Sequence, residues 1–99
     1  MNIQNMIKQA QKMQSDIMNK KEEINKKIFP GKSEMVDVEI NGKKEVVKVE
    51  IKNKDNFEIE DLEILEDMIL IALNDAFKKV DEEVQSKLGS MTSGLPDIF

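Results

Sequence analysis

The chain has 99 residues, of which 39% are hydrophobic and 35% are charged, and its formal net charge is −5. This size suits one domain with a modest core, and no apolar run is long enough to cross a bilayer. Because the sequence has neither cysteine nor histidine, it lacks thiolate ligands, disulfides and the usual general base at neutral pH, so we expect no catalytic residue, cofactor, metal ion or small-molecule substrate.

The first predicted element is a long helix from Asn2 to about Lys27. Its apolar residues recur at steps of three or four and form one narrow, heptad-like stripe: Ile3, Met6, Ala10, Met13, Ile17 and Ile24. A helix with so thin an apolar face needs a second helix beside it. We therefore expect an elongated helical arm that ends before a turn at Phe29-Pro30-Gly31, since proline and glycine both disfavour helix.

Residues 35–52 predict a β-hairpin. Two apolar triads alternate with charged residues, and Asn41-Gly42 between them is typical of a type I′ turn; the triads are Val36, Val38, Ile40 and Val47, Val49, Ile51. Two registers remain open. A two-residue loop places Ile40 opposite Lys43, whereas a four-residue loop pairs Val38 with Val47; both keep the triads on one face of the sheet.

A second long helix is predicted from an N-cap at Asp61 to Leu88, with Gly89 just beyond its end. The segment from Met68 to Leu73 is apolar on almost all sides, so one side can pack on the hairpin and the other on a second copy of the chain. Expected dimer-interface residues are Leu65, Met68, Ile69, Ala72 and Leu73. The domain then spans residues 1–89, followed by a flexible tail at 90–99.

Charge is unevenly distributed along the chain. Residues 1–54 carry 12 lysines and 8 acidic residues, whereas residues 55–99 carry 3 lysines and 12 acidic residues. The candidate phosphate-binding residues are Lys8, Lys12, Lys20, Lys21, Lys26, Lys27, Lys78 and Lys79. All fifteen basic residues are lysines, so contacts would be made by point charges without the bidentate fork of arginine. The alternative is a solvated surface, with ordinary intrahelical pairs such as Lys12–Asp16 and Lys78–Glu82.

Several segments resemble the YbaB/EbfC family of nucleoid-associated DNA-binding proteins. The similar segments are residues 6–14 (MIKQAQKMQ), Ile40-Asn41-Gly42, Val49-Glu50-Ile51, Leu65-Glu66-Asp67, residues 72–76 (ALNDA) and Gly94-Leu95-Pro96. The resemblance implies an α+β fold with a long N-terminal helix, a small antiparallel sheet built on a hairpin and a long C-terminal helix. It also implies a tweezer-like homodimer whose arms contact DNA in the bacterial cytoplasm and nucleoid, with no membrane association.

Within this resemblance, Lys8 and Lys12 are the closest match to the family's first-helix segment. Lys78 and Lys79 stand where many relatives have arginine. The low isoelectric point and the absence of arginine leave a second interpretation open. In this interpretation the protein is a dimeric scaffold that binds proteins through its arms or tail, and its association with DNA is only indirect.

Overall fold

The structure is a computed structural model that describes residues 2–89. It contains a helix α1 (Ile3–Lys26), three strands β1 (Ile28–Lys32), β2 (Val36–Asn41) and β3 (Val46–Ile51), and a helix α2 (Leu62–Leu88). Two short 3-10 turns, Lys54–Asn56 and Ile59–Asp61, connect β3 to α2. The α+β architecture and both long helices are confirmed. The predicted tail at 90–99 lies outside the described residues.

The strands form one antiparallel sheet in the order β1-β2-β3. The predicted turn at Phe29-Pro30-Gly31 is wrong, because these residues form the middle of β1, which pairs with β2. Proline is tolerated there since β1 is an edge strand and needs no donor on its outer side. Gly31 is required by packing: a Cβ at this position would lie 2.0 Å from the carbonyl oxygen of Ala72 in α2.

The hairpin is confirmed, but its loop has neither of the two expected lengths. The amide of Asn41 donates to the carbonyl of Glu45 (3.0 Å), which leaves a three-residue loop at positions 42–44. Lys44, rather than Gly42, has the left-handed conformation, with φ 63°. A register shift beside Ile40 then places Val46, instead of Val47, opposite it. The loop is therefore a turn followed by a bulge, not a type I′ turn.

The core lies between the sheet and α2. Buried side chains from β1 and β2 meet a row of small and branched residues on α2: Phe29, Val36, Val38 and Ile40 face Ala72, Ala76 and Val80. Alanines on α2 and glycine on β1 allow helix and strand to approach closely. Burying each large apolar side chain contributes about 1.5–3 kcal/mol, so this layer accounts for most of the stability within one chain.

The molecule is elongated, with dimensions of 71 × 20 × 14 Å. Among residues 2–89, only the second half of α1 packs on the other elements, through buried Ile17 and Ile24. Every residue from Asn2 to Asp16 is exposed. We call residues 3–16 the arm, and residues 28–89 the body. The expected helical arm is confirmed, and no helix within residues 2–89 has the length and apolar character that a membrane span requires.

Candidate nucleic-acid interface

The arm presents a cationic surface whose one acidic residue, Asp16, lies at the end nearest the body. Residues 2–15 contain Lys8, Lys12 and no acidic residue. At about 100° per residue, both lysines fall on the side of α1 opposite the buried Ile17 and Ile24. The intrahelical pair expected under the alternative interpretation, Lys12 with Asp16, is not formed among the described residues. The ammonium groups of Lys8 and Lys12 therefore project into solvent, where a polyanion can reach them.

The lysines in the second half of α1 are in mixed environments. Lys20 lies 3.7 Å from Glu23, Lys21 is half-buried and Lys26 is exposed. Lys27 is bonded to Glu83 of α2, and its ammonium is 5.5 Å from the centre of the Phe29 ring. The hydrogen bond from Lys27 lowers the pKa of the Glu83 carboxyl. Lys27 therefore joins α1 to α2, in addition to any role at a binding surface.

The two lysines of α2 that were predicted to bind phosphate, Lys78 and Lys79, lie on the body. Lys78 lies 4.0 Å from Glu82, the expected intrahelical pair. Lys79 donates to the carbonyl oxygen of Pro30 (2.8 Å) and lies 3.3 Å from Asp75. These contacts connect α2 to the edge strand β1. The spacing of the sequence did not predict this connection for Lys79.

Asp75 completes the connection between α2 and β1. Its carboxylate accepts a hydrogen bond from the amide of Lys32 at 3.0 Å. This amide is the main cause of a lowered pKa for Asp75, and Lys79 lowers it further. Asn74 is exposed, and its side chain forms no hydrogen bond with the described residues. Asp61 is the N-cap residue of α2, as predicted, but its side chain caps no amide of α2 and accepts a hydrogen bond from the amide of Glu58 (3.1 Å), within the preceding 3-10 turn.

Two lysines of the hairpin loop, Lys43 and Lys44, were missed by the sequence analysis. The loop abuts the end of α1: the amide of Gly42 donates to the carbonyl of Asn25 (3.3 Å). Lys43 lines an open groove beside Lys26, whereas Lys44 lies 2.8 Å from Asp81 of α2. The available signal was a Lys-Lys dipeptide directly after Asn41-Gly42. Its proximity to α1 is a tertiary feature that spacing does not reveal.

The expected dimer-interface residues are not equally available to a partner. Ala72 has no exposed surface, since it packs beneath Gly31, so it belongs to the core of one chain. Half-buried residues that pack against that core are Leu65, Met68, Ile69 and Leu73. Other large apolar side chains are about half exposed, on α2 at Ile64, Leu70 and Ile71 and on β3 at Val46, Val47 and Val49.

Within the described part of the chain, no group of three or more acidic residues is placed to hold a metal ion. The two grooves beside the sheet are open, and charged residues line them. This surface suits the docking of a large, charged partner better than the enclosure of a small substrate.

Residues 1–95 match the profile of the YbaB/EbfC DNA-binding family. A nucleoid-associated protein of Lactococcus lactis subsp. cremoris is 42% identical over 98 residues, covering 97% of this chain and 98% of the relative. One from Enterococcus faecalis is 35% identical over 96 residues, covering 96% and 92%. The fold is similar to the crystal structure of an uncharacterized protein from Helicobacter pylori, with a TM-score of 0.74, 27% identity, and coverage of 92% of this chain and 97% of that one.

Proposed function

The chain belongs to the YbaB/EbfC DNA-binding family, a family of DNA-binding proteins and not of enzymes, and on that premise we propose how it binds. It is a nucleoid-associated protein that binds double-stranded DNA as a homodimer, through contacts between lysines and backbone phosphates. The observation that carries the proposal is the arm, where Lys8 and Lys12 project on an exposed helix and form no ion pair with the described residues. The relatives' description as nucleoid-associated supports a nucleoid location in the cytoplasm.

Lysine–phosphate contacts explain how an acidic protein can bind DNA. Net charge is −5, so binding by the molecule as a whole is disfavoured. The charge of the arm is separated from the acidic α2, and at physiological salt two charges further apart than about 8 Å interact weakly. The arm can thus approach a phosphate backbone while the body stays away. Of the remaining α1 candidates, Lys20, Lys21 and Lys26 would extend the contact towards the body, whereas Lys27 is bonded to Glu83 of α2.

The homodimer is supported by the exposed apolar surface of the body. Leu70 of α2 is 59% exposed and Val49 of β3 is 51% exposed, although both are large apolar residues. β3 is also an edge strand that α2 does not cover as it covers β1 and β2. Several large apolar side chains that stay exposed on one helix and one edge strand favour burial by a partner chain. We place the partner chain there, against the half-buried Leu65, Met68, Ile69 and Leu73 and their exposed neighbours.

The test compares two double variants that lose the same charge. Lys8→Gln with Lys12→Gln removes the arm charges, and Lys32→Gln with Lys54→Gln removes two exposed lysines of the body. Binding to a fluorescent duplex is measured by anisotropy across a salt series. For the arm variant we expect affinity about tenfold or more weaker and a shallower salt dependence, by about 0.9 in logarithmic slope per lost contact. The body variant should retain nearly all of the wild-type affinity.

Equal losses in both variants would show that net charge, and not the arm, controls binding. Unchanged binding in the arm variant would place the DNA contacts elsewhere. If the wild type bound no DNA at low salt yet still formed a dimer, the protein-scaffold interpretation would replace this proposal.

A further inference from the structure

Two Lys-Lys dipeptides meet where the hairpin loop touches the end of α1. The first, Lys26-Lys27, ends α1, and the second, Lys43-Lys44, lies in the loop between β2 and β3. A Cβ on Gly42 would lie 1.9 Å from the carbonyl oxygen of Ile24. Only glycine allows this approach, and the contact fixes the loop against the helix. The two dipeptides are therefore held in a constant relation.

Within each dipeptide one lysine is already paired with an acidic residue of α2. Lys27 is bonded to Glu83 and Lys44 to Asp81. The other two, Lys26 and Lys43, line one open groove of about 460 Å³. Their ammonium groups form no ion pair or hydrogen bond with any residue between 2 and 89. The fold thus neutralises one lysine of each dipeptide and leaves the other facing solvent.

The groove also contains two carboxylates, of which one is hydrogen-bonded within the described part of the chain and one is not. Oε1 of Glu45 accepts a hydrogen bond of 2.7 Å from the side-chain amide of Asn41, which holds this carboxylate in place but leaves its negative charge. Glu22 is exposed and has no such partner among the described residues, so it can be replaced without loss of a contact. Neither aromatic side chains nor arginine line the groove, so stacking on bases and bidentate recognition are not available. Two lysines at a fixed site are suited to a phosphate oxygen.

We infer that this groove binds a phosphate of the DNA backbone between Lys26 and Lys43. The inference rests on the proposed function and adds a second contact site, on the hairpin, to the contacts of the arm. Lys8 and Lys26 are eighteen residues apart in α1, which is five turns and about 27 Å along one helix face. Contacts at both ends of that face would orient α1 on the duplex, whereas the arm alone would bind at one end.

The same dipeptides supply the matched control. Lys26→Gln with Lys43→Gln removes the two groove lysines, and Lys27→Gln with Lys44→Gln removes the two paired lysines, with an identical change in charge and composition. Both are compared with wild type and with the Lys8→Gln, Lys12→Gln variant by fluorescence anisotropy on one duplex across a salt series. We expect the groove variant to bind about tenfold or more weakly, with a logarithmic salt slope reduced by about 0.9 per lysine. The paired-lysine variant should keep the wild-type slope.

A gain-of-function variant covers the case in which the double variants fold poorly. The substitution Glu22→Gln removes an opposing carboxylate from the groove, so the affinity for DNA should rise severalfold. Misfolding cannot produce this result. Equal losses in the groove and paired-lysine variants, or an unchanged Glu22→Gln affinity, would overturn the inference. If the groove variant bound like wild type while the arm variant lost affinity, the inference would fail and the proposed function would stand. Absence of DNA binding by the wild type would overturn both.

Discussion

The arm and the body are built from the same kinds of residue, but apolar side chains are buried by packing in the body and stay exposed in the arm. Ile24, at the end of α1 that joins the body, is 4% exposed, whereas Ile3 at the tip of the arm is 71% exposed. Both lie on one apolar stripe of one helix. A stripe shows which face can be buried, but only a neighbouring surface buries it. The arm has helical order without tertiary support from residues 2–89, and this frees its polar face for a partner.

The largest expected effect on stability tests the close packing of the body, which the arm lacks. Gly31→Ala places a Cβ 2.0 Å from the Ala72 carbonyl oxygen, so β1 and α2 must separate. We expect a loss of about 3 kcal/mol or more in the free energy of unfolding, measured by urea denaturation. The neighbouring substitution Pro30→Ala, at an exposed position of the same strand, should cost far less. Similar costs for both would show that helix and strand are not in contact at Gly31.

Gly31 also shows what the sequence could and could not predict. Local rules assign proline followed by glycine to a turn, yet β1 continues through both. The strand forms because β2 provides its hydrogen-bond partners and because α2 requires a residue without a side chain. Gly42 was likewise expected for its backbone freedom, but close contact with Ile24 is what requires glycine there. The periodic helices and the alternating hairpin were predictable because their signal is local.

The residues of the candidate site were likewise predictable only where their signal is local. Lys8 and Lys12 could be identified because they lie one turn apart on a periodic helix, in a segment that resembles the family's first helix. Lys43 could not, since its position beside Lys26 depends on how the hairpin packs against α1. Lys79 was predicted at a binding surface, but its bond to the Pro30 carbonyl depends on β1 lying beneath α2. Sequence thus predicts the faces of each element and not the surfaces that result when elements meet.

A second, smaller effect compares two positions on the α1 stripe. Ile24→Ala removes a buried side chain and should lower the free energy of unfolding by about 2–4 kcal/mol. Met6→Ala, at a position that is 51% exposed, should change it by less than about 0.5 kcal/mol. Thermal denaturation of both variants at equal protein concentration checks the difference. Comparable destabilisation by Met6→Ala would mean that the arm is packed against another surface in solution.

The smallest effect concerns pH. The carboxyl pKa values of Asp75 and Glu83 are lowered by the Lys32 amide and by Lys27, respectively, from ordinary values of 3.8 and 4.5. A lowered pKa stabilises the fold at pH above the ordinary value, and this stability is lost as pH falls through the lowered pKa. Unfolding midpoints should therefore decrease from about pH 4.5 downwards. Asp75→Asn with Glu83→Gln should flatten that decrease, and an unchanged pH profile would contradict the assignment of these contacts.

Lysine footprinting tests the separation of roles between arm and body most directly. The protein is acetylated with a limiting amine-reactive reagent, with and without duplex DNA, and modification at each lysine is measured by mass spectrometry. The account predicts that DNA protects Lys8 and Lys12 on the arm, while Lys48 and Lys54 on the body are modified at the same rate as without DNA. Protection of Lys48 and Lys54 with unchanged modification of Lys8 and Lys12 would contradict it.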